Sequence, residues 1–340
     1  MTSAVREPNI SKYAPKRYLC RRTNLALTSL DGRLDKPFWD IAEWSDNFVD
    51  IEGDAKPSPA KRTRVKMLWD NNYLYFGAEL EEDEIWATLT ERESVIFQDN
   101  DFEIFIDPDG DTHNYYEFEM NALNTIWDLL LVKPYREGGP CVNGWDIHGI
   151  RSAVHIDGRL NEPSADNRSW SVEVLMPWNA LKECALEARP PLPGEFWRVN
   201  FSRVQWQVEV KDGKYVKKQD PQTGRPYPED NWVWSPMGIV NMHYPELWGY
   251  VFFTNDPSGG IPQIPEDEQR KWDLRRLYYR QSQYYAEHGR YSNDIAALQV
   301  KDCIAKPEIE TTSRTFLASV PSSDGRTRIY IQEDGKVWSP

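Results

Sequence analysis

Asp99-Asn100-Asp101-Phe102-Glu103-Ile104-Phe105-Ile106-Asp107 is the stretch whose reading decides the fold. Its period of two places Phe102, Ile104 and Ile106 on one strand face, and Asp101, Glu103 and Phe105 on the other. The turn formers Asp107-Pro108-Asp109-Gly110 end it, and residues 115–121 supply an antiparallel partner.

The same alternation extends in both directions. Residues 64–69 and 73–80, separated by Asp70-Asn71-Asn72, read as a hairpin. Residues 127–132, 150–156, 170–177, 196–208 and 248–253 read as further strands, with a short helical turn at 177–181. Many short strands with turn chemistry between them predict a mainly β chain, an antiparallel β-sandwich of jelly-roll or immunoglobulin-like type. Residues 1–27 read as an irregular segment, 28–255 as the sandwich and 256–264 as a linker rich in turn formers such as Pro and Gly. Residues 265–340 read as a small α+β extension: a helix over 265–287, striped by Trp272, Leu277, Tyr278, Gln281 and Tyr285, then a short β-meander. A piece of that size folds marginally alone, so it is expected to dock on the sandwich.

The formal charge of −14 argues against nucleic acid and against an anionic membrane surface. No apolar run is long enough to span a bilayer. Met1 to Arg22 has no apolar stretch of the secretory kind, which predicts a cytoplasmic location unless a leader is missing. The chain carries 15 Trp, 17 Tyr and 12 Phe, which suit both a strand core and a surface on which sugar rings stack.

Most catalytic signatures are missing from the sequence: no nucleophile elbow, phosphate loop, dinucleotide fingerprint or H-E-x-x-H. The histidines His113, His148, His155, His243 and His288 are dispersed, and Cys20, Cys141, Cys184 and Cys303 form no C-x-x-C pair. A calcium ion would suit the oxygens between Asp99 and Asp111, although the loop is not an EF-hand: its Gly is two positions early, and Phe118 stands where the bidentate Glu belongs.

Six segments together resemble the family 9 carbohydrate-binding modules. They are residues 30–39, residues 65–75, Asp99 to Asp107, residues 170–178, residues 194–203, and Trp234-Ser235-Pro236 with residues 245–251. The resemblance implies a β-sandwich that binds carbohydrate without catalysis of its own, placed in carbohydrate catabolism, and often holding calcium. It also implies a terminal sugar clamped between two aromatic rings, with carboxylate and arginine hydrogen bonds. Carried onto this chain, the first ring falls on Phe97 and the carboxylate on Glu103. The arginine position falls on Glu119, a charge change, and the second ring on Met242, with His243 beside it. Trp145, in the loop-like Asn143-Gly144-Trp145-Asp146, is the first candidate for a replacement ring, and Trp86 and Trp232 stand in similar settings. Two other readings stay open: a glycoside hydrolase or hydrolase-associated module, and an interaction domain whose sugar site has degenerated.

Overall fold

The computed structural model describes residues 4–10, 12–163 and 165–340. Among these residues the chain is mainly β, built on one curled sheet of thirteen strands. Its main path runs Cys141–Val142, Ile126–Leu131, Tyr115–Asn121, Asp101–Asp107, Phe196–Gln205, Gly249–Thr254, Arg17–Arg22, Thr63–Trp69, Tyr73–Glu81, Ser169–Pro177, Arg151–Asp157. The two halves of this path turn their apolar faces toward one core. Phe102, Ile104, Phe118 and Phe201 come from one half, and Val65, Phe76, Val172 and Val174 from the other. Side chains alternate along each strand, so the opposite faces carry a second set of residues.

The sheet departs from the expected antiparallel pattern at one place. Arg17–Arg22 lies between Gly249–Thr254 and Thr63–Trp69 and runs parallel to both, which makes the sheet mixed. The expectation of an irregular segment over residues 1–27 is therefore corrected. Tyr18 and Cys20 enter the main core while Leu19 packs on Tyr250 and Phe252. Only three of the strand's six residues are uncharged, so its alternation is too short to stand out from its polar flanks.

The segment at residues 30–39 is tied down by one buried carboxylate. Glu173 accepts from the backbone of Asp31 and Gly32 at 3.0 and 2.9 Å, from Trp39 Nε1 at 2.9 Å and from Lys36 Nζ at 2.6 Å. Gly32 has φ +79°, and a Cβ there would lie 2.3 Å from His155 N, so the turn requires glycine.

In the extension, helix Glu266–His288 ends on Gly289, which caps it in the left-handed conformation. A four-stranded sheet follows: Glu308–Thr311, Phe316–Pro321, Arg328–Gln332 and Val337–Trp338. Its first strand holds one apolar residue, Ile309, and gave no readable period. Trp272, Leu277, Tyr278, Phe316 and Ile331 join Phe105, Tyr115, Leu129 and Trp248 in a second core. The extension thus covers part of the outer face of the half-sheet that carries Asp101–Asp107, where Phe105, Tyr115 and Leu129 emerge. Tyr13 stacks on Trp272 at 4.6 Å, and Tyr250 donates to the helix residue Glu268 at 2.9 Å.

Candidate functional site

Strand Asp101–Asp107 lies between Tyr115–Asn121 and Phe196–Gln205. Their register decides which side chains meet. Glu103 faces Glu119 on one side and Ser202 on the other, Phe105 faces Glu117, and Glu119 faces Trp127. Directly opposed residues share a face of the sheet. Phe102, Ile104 and Phe118 point into the main core, so Asp101, Glu103, Glu117, Glu119, Trp127 and Ser202 occupy the other side.

A cleft of about 180 Å³ opens over that side. Phe97, Glu103, Glu117, Glu119, Trp127, Tyr135, Met242 and His243 line it. Phe97 comes from the short turn before the central strand, and its backbone N–H donates to Glu119 Oε2 at 2.9 Å. The Phe97 and Trp127 rings lie 6.5 Å apart at 34°, and the Tyr135 and His243 rings 4.5 Å apart at 73°. Trp127 is held by its Nε1 donating to Asn143 at 2.8 Å. His243 shares a hydrogen bond with the Tyr115 hydroxyl at 2.9 Å. Burial, and then the Arg136 charge, push its pKa down to about 3, so the imidazole is neutral at ordinary pH.

The floor of the cleft is acidic. Asp101, Glu103 and Glu119 offer carboxylate oxygens all within 4.8 Å of one another. They are 0, 5 and 1% exposed, and Glu117 is 6% exposed. Burial raises the pKa of Glu103 to about 7. The Ser202 hydroxyl opposes this from alongside, although its Oγ makes no well-formed hydrogen bond. Burial first, and then the neighbouring carboxylates, raise Asp101, Glu117 and Glu119 well above the usual range. Among the described residues, no basic side chain is a leading cause of any of these four shifts.

The structure therefore brings together Phe97, Glu103, Glu119, Met242 and His243, five of the residues singled out in the sequence. It does not bring Trp145 to them. Trp145 is half-buried at the edge of the main core, stacked on Tyr116 at 4.7 Å and donating to Glu183 at 2.6 Å. Tyr116 alternates with Glu117, so Trp145 covers the opposite side of the sheet. Trp86 and Trp232 are each only 6% exposed and offer no free ring. The sequence reading missed Trp127 and Tyr135. The register of the two strands around Ala122-Leu123-Asn124 carries the signal for Trp127, because it sets this ring opposite Glu119.

A wider groove of about 540 Å³ lies elsewhere, lined by Arg33, Trp44, Glu79, His155 and Ser171 among others. Its one aromatic ring is already covered: Arg64 and Lys66 sit over Trp44 at 4.0 and 4.7 Å. The Glu103 cleft combines uncovered rings with converging polar groups and is the better candidate.

Residues 30–187 match the family model described as carbohydrate family 9 binding domain-like. That segment belongs to the family 9 carbohydrate-binding domains. The family 9 match spans Phe97, Glu103, Glu119, Trp127 and Tyr135, while Met242 and His243 lie beyond it. Among solved structures, the chain is similar to a Bacteroides uniformis protein assigned to carbohydrate binding. The identity is 15% and the TM-score 0.50, over 71% of this chain and 100% of that one. It is also similar to a family 9 module of Caldicellulosiruptor kristjanssonii solved with cellotriose and with glucose. Identity is 18% in both, with TM-scores of 0.43 and 0.42, over 73% of this chain and 99 and 100% of those. No curated protein sequence matches the chain. Among the described residues no helix is long and apolar enough to cross a membrane.

Proposed function

We propose that this protein binds carbohydrate without catalysing its cleavage, and that the Glu103 cleft holds one terminal sugar. The observation that carries the reading is the convergence of Phe97, Trp127, Glu103 and Glu119 in one cleft within the family 9 segment. Rings present an apolar face to the C–H side of a pyranose, and carboxylates accept from its hydroxyls. The cleft, about 180 Å³, has room for one sugar ring against its aromatic wall. The curled sheet, with its halves facing across one core, is read as a sandwich of the jelly-roll type.

Glycoside hydrolysis fits poorly. A hydrolase separates its two carboxyl groups into an acid and an ionised partner. Here Asp101, Glu103 and Glu119 crowd together, with carboxylate oxygens within 4.8 Å of one another, and burial raises all of them together with Glu117.

Calcium is placed by this reading at the turn after the central strand. Asp107, Asp109 and Asp111 offer oxygens within 4.8 Å of one another, and burial raises Asp109 to about 6. Lys336, 3.1 Å from Asp111, and Arg198, whose charge acts on Asp107, are counter-charges at this turn. These donors suit a hard divalent cation, whose contribution here would be to neutralise the turn.

The test is a glycan array probed with the folded full chain, parent and Phe97→Ala side by side. A sugar retained by the parent and lost in the variant supports the reading. Silence of the parent across all glycans would sink it.

A further inference from the structure

Several buried carboxylates elsewhere in this protein have cationic partners, while Asp99 and Asp107 are satisfied by N–H and O–H donors instead. Glu173 holds Lys36, Glu246 holds Arg136, Glu268 holds Lys271, and Glu82 holds Arg203. This is what the cost of burying an ion demands. The floor of the cleft gathers four buried carboxyl groups in one place. Asp101, Glu103, Glu117 and Glu119 are all buried, and no Lys or Arg of the described residues reaches them. On the same side the buried Oδ2 of Asp101 lacks a hydrogen-bond partner, and the fully buried Ser202, which faces Glu103 in register, lies beside that carboxyl without a well-formed hydrogen bond. The cleft's own histidine does not supply the charge either, since His243 is held neutral.

We propose that the missing cation belongs to the ligand: the cleft selects a sugar that carries a protonated amine, seated between Glu103 and Glu119. This rests on the carbohydrate reading and narrows it to amino sugars. An ammonium group brings three donors to carboxylates that have spare acceptor capacity. Phe97 and Trp127 then meet the sugar ring and the positive charge together, through apolar contact and cation–π attraction. A bare metal ion would use the carboxylates and leave the rings idle. Acetylation of the amine removes the charge and adds bulk in a cleft sized for one sugar, so it should abolish the preference.

The experiment is calorimetric titration of the full chain at about pH 7, where Glu103 is about half ionised and a sugar amine is still largely protonated, with chelator present, against glucosamine, glucose and N-acetylglucosamine. Glucosamine is expected to bind about tenfold or more tightly than either neutral sugar. Glu103→Gln keeps the shape and hydrogen-bonding capacity of the side chain and should erase most of that preference, with Glu119→Gln as a second variant should the first not fold. Glucose binding as tightly as glucosamine overturns the inference and leaves the carbohydrate reading standing. Silence toward all three sugars, together with a silent glycan array, overturns both. A calcium titration without chelator, giving a signal that Glu103→Gln abolishes and no amine preference, overturns the inference in favour of a metal site.

Discussion

Arg136 donates from Nη1 to the carbonyl oxygen of His243 at 2.9 Å, while its Nη2 grips both oxygens of Glu246 at 2.9 and 3.1 Å. Glu246 in turn accepts from the hydroxyl of Tyr279, on the helix of the extension. Burial favours the neutral form of Glu246, but Arg136 and then Arg275 outweigh it and hold its pKa below the usual range. A chain of hydrogen bonds thus runs from the extension to the wall of the cleft. Removing one partner of a buried ion pair costs about 3–5 kcal/mol, because the other charge is stranded. Glu246→Gln is therefore expected to lower the melting temperature, and its affinity for sugar should fall with it as His243 loses its support. Tyr279→Phe removes only a hydroxyl and should cost about 1–2 kcal/mol. A Glu246→Gln protein with parental melting temperature and affinity would show that the extension does not prop the cleft.

The acidic floor sets a pH dependence with a definite sign. Glu103 has a folded pKa of about 7 against an ordinary value of 4.5, so the folded state holds a proton that the unfolded state has lost between those values. Its contribution to stability is complete below about pH 4.5 and is lost as pH rises through about 7, a change on the order of a few kcal/mol. Asp101, Glu117 and Glu119 act in the same direction. His243, with its depressed pKa, acts in the opposite one. Comparing parent with Glu103→Gln isolates the carboxyl: chemical denaturation from about pH 5 to about pH 8 should show the variant gaining on the parent as pH rises. Parallel curves would mean that Glu103 does not hold its proton.

Phe97 and Trp145 should separate binding from packing. Phe97 is part of the cleft wall, and Phe97→Ala is expected to weaken sugar binding about tenfold with a modest loss of stability. Trp145 stacks on Tyr116 against the core, so Trp145→Ala should cost about 2 kcal/mol of stability and leave affinity unchanged. Denaturation and titration on the two variants check both halves of the statement.

Calcium should act through stability and not through the cleft. Added calcium is expected to raise the melting temperature, stabilising the folded state by about 2.7 kcal/mol at a hundredfold excess over its dissociation constant and further with the logarithm of its concentration. Asp109→Asn should remove that rise without touching sugar affinity, since Asp109 lies in the turn beyond the central strand and outside the cleft lining. A flat melting temperature from chelator to excess calcium would rule the ion out.

Local pattern alone determined a great deal here. The period of two in Asp101–Asp107 and its neighbours assigned the strands, and the stripe of Trp272, Leu277 and Tyr278 assigned the helix, because burying one face of a strand or helix leaves its repeat in the sequence. Phe97, Glu103, Glu119, Met242 and His243 were also legible, through a resemblance carried by motif and position. Three things were decided only in three dimensions. The insertion of Arg17–Arg22 between two distant strands depends on what flanks it, not on its own residues. Trp127 joined the cleft, and Trp145 left it, because strand register and alternation choose the side of the sheet on which a ring emerges. The unpaired state of the floor carboxylates depends on where every lysine and arginine of the folded chain ends, and a sequence that lists charges does not place them.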